Sequence, residues 1–160
     1  MSEVRTAGVT LRPATAADRE LLLAVYAATR REELDQVAWP AGAREAFLEM
    51  QFHAQDTDYR RNNPDGSFDV IEVEGRPAGR LYVDRRPGEL RIVDIALLPE
   101  FRGRGIGAGL IGELQGEAAA RGEVVTIHVE IHNRAAELYA RLGFVVVAEQ
   151  GLYRRMEWSA

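Results

Sequence analysis

A glycine-rich segment between a predicted strand and a predicted helix carries the most informative chemistry of the sequence. It begins at Pro99 and reads Pro-Glu-Phe-Arg-Gly-Arg-Gly-Ile-Gly. Glycine has no Cβ, so an anionic ligand can approach the backbone, and the free amides and dipole at a helix start favour negative charge. The segment therefore predicts a phosphate-binding loop, with a pyrophosphate as the expected ligand.

Close packing and dinucleotide binding are alternative roles for these glycines that the sequence leaves open. The following helix also contains glycines, each of which costs about 1 kcal/mol relative to alanine and would suit close packing: Gly107, Gly109, Gly112 and Gly116. In addition, Gly103, Gly105 and Ala108 satisfy the Gly-x-Gly-x-x-Ala pattern of nicotinamide dinucleotide-binding domains. That fold opens with the motif, whereas here only one further strand and a short helix precede the closing hairpin.

A row of polar side chains on one predicted strand could handle protons. Strand alternation places four residues on one face: Thr126, His128, Glu130 and His132. His128 or Glu130 could accept a proton from an amine, and Asp94 on the neighbouring predicted strand is a third candidate. The two histidines and Glu130 could instead bind zinc. Because no other motif supports a metal, we expect none.

Three blocks of the sequence resemble the GNAT superfamily of N-acetyltransferases. Arg102-x-x-Gly105-x-Gly107 is similar to the GNAT pyrophosphate loop. The blocks on either side are also similar and lie in the expected order: Ile95-Ala96-Leu97-Leu98-Pro99 before it, then Asn133 and Leu138-Tyr139-x-x-Leu142-Gly143-Phe144. The resemblance is strongest over residues 90–144 and weakest over the two N-terminal helices, where substrate selectivity of the superfamily usually lies.

The resemblance implies acetyl-CoA as cosubstrate and a set of residues that hold it. The loop amides would bind the pyrophosphate, and the preceding strand would pair with the pantetheine amides and so extend the sheet. Asn133 would contact the cofactor arm, and two arginines would flank the phosphates. The implied cofactor-binding residues are Ile95, Ala96, Leu97, Arg102, Gly103, Arg104, Gly105, Ile106, Gly107 and Asn133.

The resemblance also implies direct attack of a primary amine of a small molecule or peptide on the acetyl group in a ternary complex. Tyr139 falls at the family position commonly proposed to protonate the departing thiolate, although core packing is the alternative for such an aromatic. Family members differ in the base, so Asp94, His128 and Glu130 all stay candidates. A catalytically weak acyl-CoA-binding or sensing module, an O-acetyltransferase and a different acyl donor are the alternative functions.

The acceptor side is less defined by the sequence. Residues on or near the two N-terminal helices could line an acceptor pocket: Trp39, Gln51, Phe52, Gln55 and Tyr59. Acidic residues there could attract a cationic amine: Glu45, Glu49, Asp56 and Asp58. His53 is predicted to be a partly exposed packing residue.

Composition excludes several classes of function. The chain has 160 residues, no cysteine and no lysine, since all 20 basic residues are arginine. Disulfides, thiolate chemistry, a P-loop lysine and a lysine Schiff base are therefore absent. A net charge of −5 argues against general nucleic-acid binding. We find no membrane span, and the N-terminus, with Glu3 and Arg5, has no apolar signal segment. We therefore expect a cytoplasmic protein, and the sequence also allows a homodimer.

The predicted elements form one domain over residues 1–160. We expect a three-layer α+β fold of α/β type: a mixed, twisted, mostly antiparallel sheet with a central parallel strand pair and helices on both faces, as in GNAT-like acyltransferases. The predicted strands cover residues 9–12, 68–73, 77–83, 90–98, 124–131, 144–148 and 152–158. The predicted helices cover residues 16–34, 106–121 and 134–142, with a further helix from about residue 43 that fades by residue 62.

Overall fold

The computed structural model describes residues 8–160, which form a seven-stranded sheet with helices on both faces. The strands are β1 (Val9–Pro13), β2 (Ser67–Val73), β3 (Arg76–Arg86), β4 (Glu89–Leu97), β5 (Val124–Glu130), β6 (Val145–Gln150) and β7 (Tyr153–Trp158). The helices are α1 (Arg19–Leu34), α2 (Ala43–Asn62), α3 (Ile106–Arg121) and α4 (Ala135–Arg141). The predicted fold class is confirmed. Within this range no helix has the length and apolar character to span a membrane, and the terminal residues Glu3 and Arg5 lie outside it.

The sheet is antiparallel except at its centre. Its strand order is β1-β2-β3-β4-β5-β7-β6, and only β4 and β5 run parallel. Parallel neighbours need a crossover connection, and α3 provides it. Hairpins join β2 to β3, β3 to β4 and β6 to β7. The turn Glu74-Gly75 has positive φ at both residues, the conformation that a two-residue hairpin favours.

The structure differs from the sequence prediction mainly at element ends. Strand β3 continues to Arg86, beyond the predicted end at Val83, because its polar residues still pair with β4. There Arg85 binds Glu117 of α3, so a charged pair replaces the apolar pattern on which the prediction depends. Short 3₁₀ turns at 16–18 and 99–101 were not predicted as separate elements.

The start of α1 is fixed by polar contacts that the sequence pattern indicates. Thr15 and Asp18 form a reciprocal capping box at the preceding 3₁₀ turn. The Arg12 guanidinium donates two hydrogen bonds to the Asp18 carboxylate, at 2.8 and 2.9 Å, and a third to Glu72. Hydrogen bonds from Arg12 and from the Thr15 amide lower the pKa of Asp18 to about 2. This contact ties α1 to the edge of the sheet.

The two faces of the sheet have different cores. On one side, here called the α3/α4 face, strand residues such as Leu81, Ile92 and Ile127 pack against Leu110 and Ile111 of α3. On the opposite side, the α1/α2 face, the helices share a small cluster formed by Leu22, Tyr26 and Phe52. Most of the buried apolar side chains therefore surround α3.

Strands β4 and β5 separate partway along the sheet. Their parallel pairing covers four residue pairs and ends at Ile92 and Ile127. Beyond that point β4 stays paired with β3 as far as Leu97, and β5 stays paired with β7 as far as Glu130. A register shift leaves Val93 as an extra residue in β4 at the same place. We call the gap that opens there the β4/β5 wedge.

Gly79 allows β3 and β4 to approach closely beside this wedge. A Cβ at Gly79 would lie 2.2 Å from the Ala96 carbonyl oxygen and 2.9 Å from the Leu97 Cα. Both contacts are with backbone, so a side chain cannot move aside to relieve them. Glycine at this position therefore fixes the path of the β4 segment that borders the wedge.

Replacing Gly79 with alanine is expected to destabilise the protein by about 1–3 kcal/mol, because β4 must move away to accommodate the methyl group. Gly112→Ala is the matched control, since a Cβ at this helical position meets no protein atom within 4 Å; it is expected to stabilise α3 by up to about 1 kcal/mol. Urea unfolding curves measure both changes. Equal unfolding midpoints for Gly79→Ala and the unmodified protein would contradict the assigned packing.

Candidate active site

The glycine segment folds into a loop that joins β4 to α3. A 3₁₀ turn spans Pro99–Phe101, and the Phe101 side chain is buried beneath the loop. Gly103 and Gly105 have φ angles of +75° and +78°, in the left-handed region that favours glycine. Gly105 immediately precedes α3. Glycine at these two positions lets the chain turn from the strand into the helix without backbone strain.

The loop and the first turn of α3 present a run of free backbone amides. Within the described part of the chain, none of the amides of residues 103–108 donates a hydrogen bond to another protein group, and no side chain caps the helix. A Cβ at Gly103, Gly105 or Gly107 would meet no protein atom within 4 Å. Accessible amides at a helix N-terminus form a binding site for phosphate oxygens.

Neither of the alternative roles for the glycines fits the structure. Close packing is wrong for Gly107, Gly112 and Gly116, because no protein atom lies within 4 Å of a Cβ built at any of them. The dinucleotide-binding interpretation is also wrong. The motif follows the fourth strand of a mostly antiparallel sheet, whereas a dinucleotide-binding domain carries it after the first strand of a parallel sheet.

Two arginines of the loop are anchored to its backbone. Arg102 Nε donates to the Leu97 carbonyl oxygen at 3.1 Å, and Arg104 Nη2 donates to the Glu100 carbonyl oxygen at 2.9 Å. Both residues are exposed, and neither forms an ion pair with a carboxylate among residues 8–160. Each guanidinium therefore keeps further N–H groups for a ligand beside the loop.

The edge of β4 that faces the wedge is available along its last residues. Ile95, Ala96 and Leu97 pair with β3 on one side only, because pairing with β5 ends at Ile92. All three residues are half-buried. A strand edge of this kind can pair with an extended chain that carries amide groups.

Tyr139 lies in the core of the α3/α4 face. Its side chain is 5% exposed, and its ring centroid is 5.9 Å from that of Phe144. Burial raises the pKa of the Tyr139 phenol above its ordinary value of 10, and the Asp94 carboxylate raises it further. The phenol therefore stays protonated near neutral pH. Packing and proton donation are compatible roles for this residue.

Asn133 has a structural contact at the start of α4. Its Oδ1 accepts a hydrogen bond of 2.8 Å from the Ala135 amide, a local side chain–backbone contact of a kind that asparagine often forms. Its side chain is exposed, and its Nδ2 group has no hydrogen-bond partner among the described residues. The residue can thus orient α4 and still offer a donor to a ligand.

The polar row on β5 has the predicted alternation. Thr126, His128 and Glu130 point to the α1/α2 face, while Val125, Ile127 and Val129 are buried on the other face. His128 lies one residue beyond the last pair with β4. Burial lowers the pKa of its imidazole, and Arg91 and Arg155 lower it further, whereas Glu89 acts in the opposite direction.

The members of this row have different surroundings. The Thr126 hydroxyl is fully buried and donates to Glu89 at 2.5 Å, so it belongs to the packed part of the sheet. Glu130 is exposed at the end of β5, and His132 follows the strand and is also exposed. Among residues 8–160, no group of three histidine or acidic side chains is close enough together to hold a metal ion.

Asp94 belongs to a buried polar cluster that the sequence pattern does not reveal. It forms an ion pair with Arg80, whose side chain is only 3% exposed. Arg80 Nη2 also donates to Gln55 Oε1 at 2.8 Å, and its guanidinium lies 5.2 Å from the Tyr82 ring centroid. The only sequence signal is an arginine inside the apolar strand run from Ala78 to Val83.

The candidate acceptor residues divide into two groups. Gln55 and Tyr59 reach the Arg80 cluster, with the Tyr59 ring 6.0 Å from that of Tyr82; burial raises the pKa of Tyr59. Trp39 and Phe52 are packing residues: Trp39 donates to the Leu34 carbonyl and stacks near Phe47, and Phe52 contacts Tyr26. His53 is exposed on α2. Glu45 and Glu49 border a groove between α1 and α2.

The candidate proton acceptors and the candidate proton donor lie on opposite faces of the sheet near the wedge. Asp94 lies two residues beyond the last β4/β5 pair, and His128 lies one residue beyond it. Both point to the α1/α2 face, while Tyr139 lies on the α3/α4 face. A group held in the wedge can therefore exchange a proton with one side of the sheet and receive a proton from the other.

Comparison of the fold gives related structures that cover nearly the whole chain. The PaiA N-acetyltransferase from Thermoplasma acidophilum, in complex with coenzyme A, aligns with a TM-score of 0.70 and 17% identity over 95% of this chain and 99% of that chain. An acetyltransferase from Thermus thermophilus aligns with a TM-score of 0.69 and 19% identity over 96% of this chain and 97% of that chain. At these identities the likeness concerns the fold alone.

Sequence comparison supports the relationship more directly. An uncharacterized N-acetyltransferase of Methanocaldococcus jannaschii is 38% identical over 93 residues, which represent 52% of this chain and 41% of that protein. The matched region thus spans about two fifths of the length of this curated relative. The sequence model of the Acetyltransferase (GNAT) family matches residues 28–144, well over half of the chain. The chain therefore belongs to the GNAT acetyltransferase family.

Proposed function

We propose that this protein is an acetyl-CoA-dependent N-acetyltransferase that acts on a primary amine of a small molecule or peptide. The observation that carries the proposal is the run of free amides at residues 103–108, which begins α3 where β4 ends beside the wedge. The site joins a phosphate-binding loop to a strand edge that can pair with amide groups. This combination matches the two parts of an acyl-CoA, a pyrophosphate and an amide-containing arm.

The residues present fit coenzyme A in three respects. The open space above Gly103, Gly105 and Gly107 admits phosphate oxygens to the amides. The free edge at residues 95–97 offers backbone hydrogen bonds, and Asn133 offers its amide donor. The arginines at 102 and 104 add positive charge beside the loop. The PaiA relative was solved in complex with coenzyme A, which supports the same assignment here. When bound, acetyl-CoA would supply an acetyl thioester.

The transfer needs no covalent enzyme intermediate. The amine nitrogen bonds to the acetyl carbon, the carbon–sulfur bond breaks, the nitrogen loses a proton and the thiolate gains one. The protein then has three tasks: to position the amine, to accept the proton and to protonate the sulfur. The side chains on the two faces of the wedge are suited to the last two tasks.

On the α1/α2 face, His128 is the proposed proton acceptor. Because its pKa is lowered from the ordinary 6.5, the neutral imidazole, which is the form that accepts a proton, predominates at neutral pH. Asp94 is held by Arg80 and Arg80 by Gln55, so its carboxylate is suited to hold an ammonium group in a fixed place. Glu130 is the alternative acceptor, nearer the end of the strand.

On the α3/α4 face, Tyr139 is the proposed proton donor. Its raised pKa leaves the phenol protonated at the pH where the imidazole on the other face is neutral. The two groups are thus in opposite and complementary states over the same pH range. An acid and a base separated by the sheet need not exchange protons with each other.

Amine-dependent release of thiol from acetyl-CoA tests the proposed function. We expect release to rise with at least one compound in a panel of primary amines, polyamines and peptides, and mass spectrometry should find one acetyl group on the nitrogen of the accepted compound. Binding of acetyl-CoA without amine-dependent release from any compound would instead favour a binding or sensing module. Acetylated oxygen would identify an O-acetyltransferase.

Replacing Gly107 with leucine is expected to weaken acetyl-CoA binding at least about tenfold, because a side chain would fill space beside the loop amides. Gly112→Leu is the matched control on the same helix, since both positions are free of protein contacts within 4 Å. Calorimetry measures both affinities, and circular dichroism checks that both variants fold. Equal acetyl-CoA affinities of the two variants would contradict the assignment of the loop as the phosphate-binding site.

Replacing Tyr139 with phenylalanine is expected to lower kcat by about 10²–10⁴-fold, the range typical of general acid catalysis, while acetyl-CoA affinity changes little. The phenyl ring keeps the packing against Phe144, so loss of stability should not explain the lower rate. Single-turnover rates establish that the chemical step is measured. An unchanged chemical rate would reduce Tyr139 to a packing residue.

The pH profile of kcat tests the proton acceptor. Because the pKa of His128 is lowered from its ordinary 6.5, the rate should fall only as the pH drops below that value and the imidazole becomes charged. His128→Gln should lower the plateau and abolish this acidic limb. Glu130→Gln and Asp94→Asn are the comparisons, with folding checked first because Asp94→Asn leaves a buried arginine unpaired. If the acidic limb of the kcat profile disappears in Glu130→Gln but persists in His128→Gln, the proton acceptor is Glu130 and not His128.

A further inference from the structure

Most arginines of this protein pair with carboxylates. Within the described part of the chain, the exceptions are Arg76, Arg102, Arg104, Arg134 and Arg141. In a chain with 25 acidic and 20 basic residues, an arginine has many carboxylates available to it. The unpaired ones therefore mark places where a cation is free to bind another anion.

Three of these five arginines meet at the glycine loop. Arg102 and Arg104 belong to it, but Arg76 lies 26 residues before Arg102 in the sequence, at the start of β3. The pairing of β3 with β4 brings it there, since the Leu98 amide donates to the Ala78 carbonyl at 2.8 Å. Just before Ala78 in the chain are Arg76 and the β2/β3 hairpin, and just after Leu98 is the 3₁₀ turn at 99–101. The hairpin and the turn therefore lie side by side. Neither the loop motif nor the family resemblance identified Arg76.

One aromatic ring positions two of these arginines. The Arg76 guanidinium carbon lies 5.0 Å from the Phe101 ring centroid, and that of Arg104 lies 5.3 Å from it. Phe101 itself is 2% exposed, whereas both arginines are exposed. Stacking on a buried ring orients each guanidinium while its N–H groups stay available to a ligand.

No carboxylate within residues 8–160 neutralises this pair. Glu74 and Glu100 are neighbours in the sequence, yet neither forms an ion pair with Arg76 or Arg104, and the Arg104 contact with Glu100 is to its carbonyl oxygen. Positive charge thus accumulates at the outer side of the loop in a protein whose net charge is −5. Guanidinium groups in this setting bind phosphate through paired hydrogen bonds.

We propose that Arg76 binds the 3′-phosphate of coenzyme A and gives the protein a preference for coenzyme A over forms that lack this phosphate. The inference rests on the proposed acyl-CoA function. The backbone amides of residues 103–108 already serve a pyrophosphate. The 3′-phosphate is a separate dianion on the ribose, and guanidinium groups suit such a group; Arg76 is an exposed cation that the hairpin adds to the loop. Arg104, stacked on the same ring, shares this task.

Calorimetric titration with coenzyme A and with 3′-dephospho-coenzyme A tests this proposal. We expect the unmodified protein to bind coenzyme A about tenfold more tightly than the dephospho form, the effect of one charge-assisted contact. Arg76→Gln should remove most of this preference and leave the affinity for the dephospho form unchanged. Arg61→Gln, which removes an exposed charge on α2, is the matched control and should keep the full preference. Arg76→Lys should keep part of it.

The outcomes separate the inference from the proposed function. If Arg76→Gln keeps the preference, or weakens both ligands equally, Arg76 does not bind the 3′-phosphate and the inference is wrong. If the unmodified protein binds both ligands equally, the inference is also wrong, although the acyl-CoA function stands. If it binds neither ligand, the proposed function itself fails. Thermal unfolding of each variant verifies that the hairpin change has not altered folding.

Discussion

The site depends on where the backbone hydrogen bonds between β4 and β5 end. Four parallel pairs hold the two strands together, and beyond Ile92 and Ile127 each strand keeps only its outer partner. A buried strand edge without partners is costly unless something else pairs with it. The extra residue Val93 and the close approach at Gly79 fix the direction that β4 takes. The loop, the polar row and the α4 tyrosine all take their places relative to this opening.

The buried ion pair between Arg80 and Asp94 lies beside the β4/β5 wedge and further restricts its geometry. Moving an arginine into the interior is unfavourable, and the Asp94 carboxylate compensates for it only if the geometry is held. Gln55 accepts a hydrogen bond from the guanidinium and the ring of Tyr82 lies beside it, while the buried Arg80 Nε has no hydrogen-bond partner among the described residues. Because Gln55 belongs to α2, the cluster links the helix on one face to the strand that borders the wedge. Apolar residues of equal volume would pack there, but they would offer no fixed charge to a ligand.

The sequence was sufficient for the features that local chemistry dictates. Helix α3 has the predicted ends, because a glycine loop precedes it and Gly122 follows it, and the alternation on β5 assigned each side chain to its face. The separation of β4 and β5 could not be predicted, since the largely apolar run of β4 and the alternation on β5 both continue past the last pair. The sequence pattern also did not identify Arg80 and Arg76. Their partners Asp94 and Phe101 are distant in the sequence, and only the strand pairing brings them together.

The unequal cores of the two faces divide the molecule into a tightly packed half and an adaptable half. Packing around α3 involves most of the buried apolar residues, so a change there disturbs many neighbours at once. Helices α1 and α2 share only a small cluster with each other, and polar contacts such as Arg12 with Asp18 and Arg19 with Glu49 help to hold them. Mutations at the exposed positions of these helices can therefore accumulate at little cost in stability. Over evolutionary time, descendants of this chain can acquire a different binding surface on that face while the machinery around the glycine loop stays intact.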